Sequence, residues 1–260
     1  MILRRISNAL RKQDWATVLI EILIVVVGVV VGIEVANWNE ARLDVRKGEE
    51  FAERLTADLR VEKWNYDVIV AYLEDVRKNI DLALAVLEEE AEATDEQLLI
   101  YAYRATQYAG GVRRRATFDE LTSTGSIGLI TDTALRDTAV LFYTSLIIDQ
   151  AGDEGINSPY RIEFRKSLPV DVQIALGEKC GDWFLPIGDY SNIENQLNFA
   201  CETGLAPARI EAAASALRAA PEIVSLLRLQ AMDIRTQISN LVFTNQDIRD
   251  SLNAVVKDKP

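Results

Sequence analysis

The chain contains no histidine in its 260 residues. That absence removes imidazole general acid–base catalysis, Ser-His-Asp and Cys-His nucleophile systems, and every histidine-containing metal site. Its two cysteines, Cys180 and Cys201, are too few for a cysteine-rich metal centre. Outside the cytoplasm they read as one disulfide closing a loop of about 20 residues; a reactive thiol pair more often has the close C-x-x-C spacing. Proline is absent before Pro159, and between Gly32 and Gly110 the only glycine is Gly48. Nothing in that stretch forces a helix to stop. Alternation of apolar and polar residues on the scale of a strand is lacking as well, so the expected fold class is all-α.

The stretch Trp15–Trp38, WATVLIEILIVVVGVVVGIEVANW, holds the long apolar run. Between its tryptophans a helix rises roughly 34 Å, enough for a hydrocarbon core and an interface, and the indoles suit the headgroup level. The segment is therefore expected to span a membrane at 15–38, anchored by Trp15 and Trp38. A cleaved leader fits less well: cutting after Ala36 would put Glu34 where a small neutral residue is wanted. Arg4, Arg5, Arg11 and Lys12 face a single Asp14 before the span, whereas the other flank mixes both signs. Residues 1–14 are then the cytoplasmic basic segment, and 39–260 lie outside. Leu3, Ile6 and Leu10 would let the first segment lie on the inner leaflet, although a frayed tail reads equally well.

Within the span, Glu21, Gly28 and Gly32 share one helix face. The glycines allow close backbone approach, and a carboxylate there calls for a partner, so the face is expected to be a helix interface, possible in a homodimer. Residues 1–40 are neutral overall, which leaves the whole net charge of −12 on 41–260. Such a domain repels phosphate backbones, and nucleic acid is not an expected partner.

Beyond the span, Ala52, Leu55, Leu59, Glu62, Tyr66, Ile69, Leu73, Val76, Ile80, Ala83 and Leu87 recur at alternating +3 and +4 spacing. This is a long coiled-coil-like seam with Glu62 as a polar interruption. The acidic run Glu88–Glu92 ends it. A capping box at Thr94–Gln97 opens a helix through Leu98, Tyr101, Ala105 and Tyr108 that Gly110-Gly111 stops, and a second box is expected at Thr117–Glu120. Arg113, Arg114 and Arg115 form the densest basic cluster; they either pair internally, with the acidic run, or with Ser126 of the glycine turn offer a weak anion site. That turn lacks the Lys of a P-loop, and no cofactor or metal is expected. A helix from about Asp132 to Gln150 follows. Residues 152–207 are loop-rich and disulfide-bearing, with Ser158-Pro159 opening a helix. A pocket, if present, belongs there or at the Gly125 turn. The last seam, Val224, Leu227, Ala231, Ile234, Ile238, Leu241, Asn245, Ile248, Leu252 and Val255, predicts one helix of about 35 residues antiparallel to the first, with Asn245 setting register.

The segments RRI..ALRKQDW, VANWNE and FDEL-x-STGSIGLI together resemble a bacterial family of small single-pass membrane proteins of unknown function. The resemblance implies anchoring in the bacterial inner membrane and a mainly helical periplasmic exterior; it carries over no catalytic or binding residues. The expected function is a non-catalytic binding or scaffolding module contacting lipid and a protein partner. Alternatives are an accessory subunit of a transport or energised complex using Glu21, and a ligand-sensing ectodomain that signals through another protein. Paired carboxylates such as Asp119 and Glu120 are too common here to indicate an enzyme.

Overall fold

A computed structural model describes residues 15–110, 113–194 and 196–257, without the side chains of 15–18, Glu21 and Lys257. The expected inner-leaflet segment 1–14 lies outside the described residues. Every regular element among those described is helical. They are α1 (Trp15–Leu87), α2 (Asp95–Arg104), α3 (Ala116–Ser123), a 3-10 turn (Ser126–Leu129), α4 (Thr133–Thr144), α5 (Ile147–Ile156), α6 (Pro159–Ser167), α7 (Val170–Cys180), α8 (Pro207–Ala219), α9 (Ile223–Ser239), a π segment (Asn240–Thr244) and α10 (Gln246–Lys257).

α1 runs unbroken for 73 residues. Its upper half is the spine of the core: Leu55, Leu59, Tyr66, Leu73, Val76, Ile80 and Ala83 are all fully or nearly fully buried. Each large apolar side chain removed from water there contributes about 1.5–3 kcal/mol. Gly48 sits inside this helix because the 3-10 turn leans on it; a Cβ would stand 2.3 Å from the Leu129 carbonyl oxygen. The turn itself is made by Gly125, whose φ of 70° suits glycine. α1 ends at the acidic run, where Glu90 and Ala91 both donate to the Ala85 carbonyl and Glu88 pairs with Arg228 at 2.7 Å.

α9 lies antiparallel to α1, as the ladder Glu88–Arg228, Asp81–Arg235 and Tyr66–Leu241 records. The last seam is buried from Leu227 to Leu252 except at Asn245, but it is not one helix. At Asn240–Thr244 the backbone slips to i→i+5 bonding, with the Asn245 N–H donating to Asn240 O at 3.1 Å. Within this segment the Leu241 carbonyl accepts from the buried Tyr66 hydroxyl. Asn245 is thus no core register residue; its side chain also donates to Asn240 O and closes the break.

Three other boundaries differ from expectation. α2 stops at Arg104 because Thr106 Oγ1 and Gln107 Nε2 both donate to the Tyr103 carbonyl, competing with the next helical bond. The helix expected over 132–150 splits at Ser145 into α4 and α5. Thr117 caps nothing: α3 begins before it, with Arg115 at the cap position and Thr117 buried inside. The Thr94 capping box and the Ser158-Pro159 helix start form as the residues suggest.

Candidate functional site

Two places on this scaffold stand out. The first is the lower half of α1. From Leu19 to Val35 the large apolar side chains are each 51–65% exposed, and nothing else in the described chain covers them. This is one helix long and apolar enough to cross a membrane, its apolar window reaching a mean hydropathy of 2.0. Gly28 and Gly32 face open space. Trp38 is exposed with the Arg42 guanidinium 5.1 Å above its ring. The side chains of Glu21 and Trp15 lie outside the described ones.

The second is a cavity of about 150 Å³ beside the upper half of α1. Its floor begins at Glu62, only 1% exposed, in a seam of leucines and tyrosines. A carboxylate there requires a cation and further hydrogen bonds. Arg113 supplies the cation, Nε to Oε2 at 3.0 Å, and the Arg114 N–H donates to Oε1. Arg113 is held in turn by Asp149 at 3.4 Å and by the Phe142 ring 4.7 Å below its guanidinium. Burial nonetheless pushes the Glu62 carboxyl above its ordinary range, against the pull of Arg113 and the Arg114 N–H.

The three arginines therefore have separate partners. Arg113 pairs with Glu62 and Asp149 rather than with the acidic run, Arg114 fixes the segment through its backbone, and Arg115 pairs with Asp119 at 3.0 Å. Ser126 accepts a hydrogen bond from Thr124 at 2.9 Å.

The opposite wall is the disulfide loop. Cys180 and Cys201 are joined, with Cα atoms 5.5 Å apart. Arg104, 5% exposed, ties the loop down from within: Nε donates to Cys180 O at 3.1 Å, Nη2 to Phe199 O at 3.0 Å, and its plane lies 4.6 Å from the Phe199 ring. So pinned, the loop presents Asp182 and Trp183 to the cavity, with Gln196 behind. The Tyr72 hydroxyl donates to Asp182 Oδ1 at 2.7 Å. Burial raises the Asp182 carboxyl, opposed by that hydrogen bond and by the charges of Arg161 and Arg104. Burial also raises the Tyr72 phenol, which stays a donor.

This pocket is thus lined in part by the loop-rich region, as the sequence suggests, and its other wall is α1 with Tyr108, Ala109, Gly110, Arg113 and Ile148; a separate hollow beside Gly48 is bordered by Leu129 of the 3-10 turn that follows Gly125. Glu62 is visible in the sequence as the polar break in the seam. Asp182, Tyr72 and Tyr108 are not, since their meeting depends on how the loop folds back. Among the described residues no group of three or more His, Cys, Asp or Glu side chains is placed to hold a metal ion. No family model, curated protein or solved structure matches this chain.

Proposed function

We propose that the protein is a membrane-anchored helical module that binds or scaffolds another protein outside the cytoplasm. The observation that carries this reading is the bare apolar half of α1, continuous with the helix that forms the spine of the core. Left in water, that length of exposed valine, isoleucine and leucine would be an aggregation surface far larger than a monomer carries. Lipid removes the penalty, and a helix meets the demand that every backbone polar group be satisfied there. The disulfide and the acidic exterior favour the oxidising side, with the basic N-terminus inside. Gly28 and Gly32 then leave one face of the span free for a second helix, from another copy or another subunit.

Membranes from expressing cells test the anchor. The full chain should resist alkaline carbonate and dissolve in detergent, and protease added to spheroplasts should remove a C-terminal tag while sparing an N-terminal one. Release by carbonate ends the anchoring; loss of the N-terminal tag alone reverses the orientation. In-membrane cross-linking, compared between the parent and a Gly28→Ile/Gly32→Ile variant, should show adducts weakened in the variant. Unchanged adducts remove this face as the contact.

A further inference from the structure

We infer that the cavity between α1 and the disulfide loop is a binding site for a small organic cation, an amine carried on an aromatic or short aliphatic body. Size sets the first limit. About 150 Å³ corresponds to roughly five water volumes, a ligand of about the size of a single substituted ring.

The walls set the second limit. Tyr66, Tyr72, Tyr108 and Trp183 contribute aromatic surface, which attracts a cation through the ring faces. The charges set the third. Arg113 is the one cation among the described lining residues, and it is consumed by Glu62 and Asp149. Both Glu62 oxygens are occupied in return. Asp182 differs: Oδ1 takes the Tyr72 hydroxyl, while Oδ2 accepts no hydrogen bond from any described residue.

Two further guanidiniums act on Asp182 from behind the wall. Arg104 is spent on the Cys180 and Phe199 carbonyls and the Phe199 ring. Arg161 donates to Thr106 O at 2.8 Å and lies 4.7 Å over the Tyr108 ring. Neither lines the cavity. They favour the ionised Asp182 without closing its free oxygen, and an ammonium group placed there would gain a charge-assisted hydrogen bond at a carboxylate that still meets solvent. The net charge of −12 raises the local concentration of cations around the whole molecule.

The test uses the full chain in nanodiscs of neutral lipid, at about 0.15 M salt to screen the acidic surface. Benzylamine, methylamine and tetramethylammonium are the cationic probes; benzyl alcohol and benzoate are the neutral and anionic counterparts of the first. Ligand-observed NMR and the fluorescence of the tryptophans, Trp183 among them, report binding. Saturable binding is expected for at least one cation, with benzylamine ahead of benzyl alcohol and benzoate weakest. Asp182→Asn should weaken the cation about tenfold or more, while Glu178→Gln, an exposed carboxylate on α7, should leave it unchanged. Binding by none of the cations, benzoate equal to benzylamine, an Asp182→Asn affinity within a factor of two, or an equal loss in Glu178→Gln each overturns the assignment. Should Asp182→Asn fail to fold, as circular dichroism would show, the ranking of probes on the parent still decides.

Discussion

Replacing Arg113 by methionine keeps most of the side chain's length and its contact with the Phe142 ring but removes the charge opposite Glu62. The Glu62 carboxylate would then stay at 1% exposure with only the Arg114 N–H and no cation. Removing one member of a buried pair costs about 3–5 kcal/mol. For a chain of this size each kcal/mol moves the melting temperature by about 2–4 °C, so the loss should be roughly 6–20 °C. Adding Glu62→Gln should recover at least half of it, because the amide oxygen still accepts from Arg114 while the buried charge is gone. The pH dependence has a definite sign. Folding raises the Glu62 carboxyl above its ordinary 4.5, and losing Arg113 raises it further. Stability linked to its protonated form is therefore fully present below about 4.5 and lost as pH climbs through the folded-state value. The gap between variant and parent should be widest at neutral pH and narrow on acidification. Thermal unfolding of the full chain in detergent, followed by circular dichroism at several pH values, measures it. A melting shift below about 2 °C at neutral pH, or a gap that fails to narrow, refutes the account of Glu62.

Three further outcomes follow from the packing. Reducing the Cys180–Cys201 bond should lower stability by about 3 kcal/mol and expose the chain between the cysteines to protease first; mass mapping of untreated protein should show both thiols blocked. Gly48→Ala should destabilise by about 1–3 kcal/mol, since its methyl meets the Leu129 carbonyl, whereas Gly28→Ala and Gly32→Ala should leave unfolding unchanged, a contrast read by parallel melts. Ser158→Ala should cost about 1–2 kcal/mol by removing both the cap of α6 and the 2.6 Å bond to Gln230 Oε1, with the loss reduced when Gln230→Leu is added.

Periodicity made the spine legible: the seam from Leu55 to Ala83 needs no partner to be recognised, because every third or fourth position repeats the same demand. Local chemistry made two helix starts legible, at Thr94 and Ser158, where the capping group and its target are three residues apart. The π segment escaped because Leu241 and Ile248 keep an apolar seam in phase across it, while the Leu241 carbonyl inside it bonds to Tyr66, 175 residues earlier. The cavity was half legible. Glu62 announced a buried charge in need of a partner, yet Arg113 is 51 positions away and Asp182 depends on the fold-back of a loop. Spacing along a chain carries no record of contacts made by such returns.

The unbroken passage of α1 through Asn39–Lys47 has a mechanical consequence. A single rod of 73 residues, about 110 Å if straight, fixes rotational phase as well as height. Leu55 and Leu59 stand roughly seven and a half turns beyond Gly28 and Gly32, so the face that holds the core and the face with the glycines point in opposite directions. Two copies meeting at the glycines would carry their bulky halves outward, clear of each other. One residue inserted in the stalk would swing the domain by about 100° while lifting it only about 1.5 Å, converting an outward bearing into a sideways one. With the apolar end of α1 held in a membrane as proposed, a partner reading this domain would sense torsion in the rod long before it sensed a change in distance.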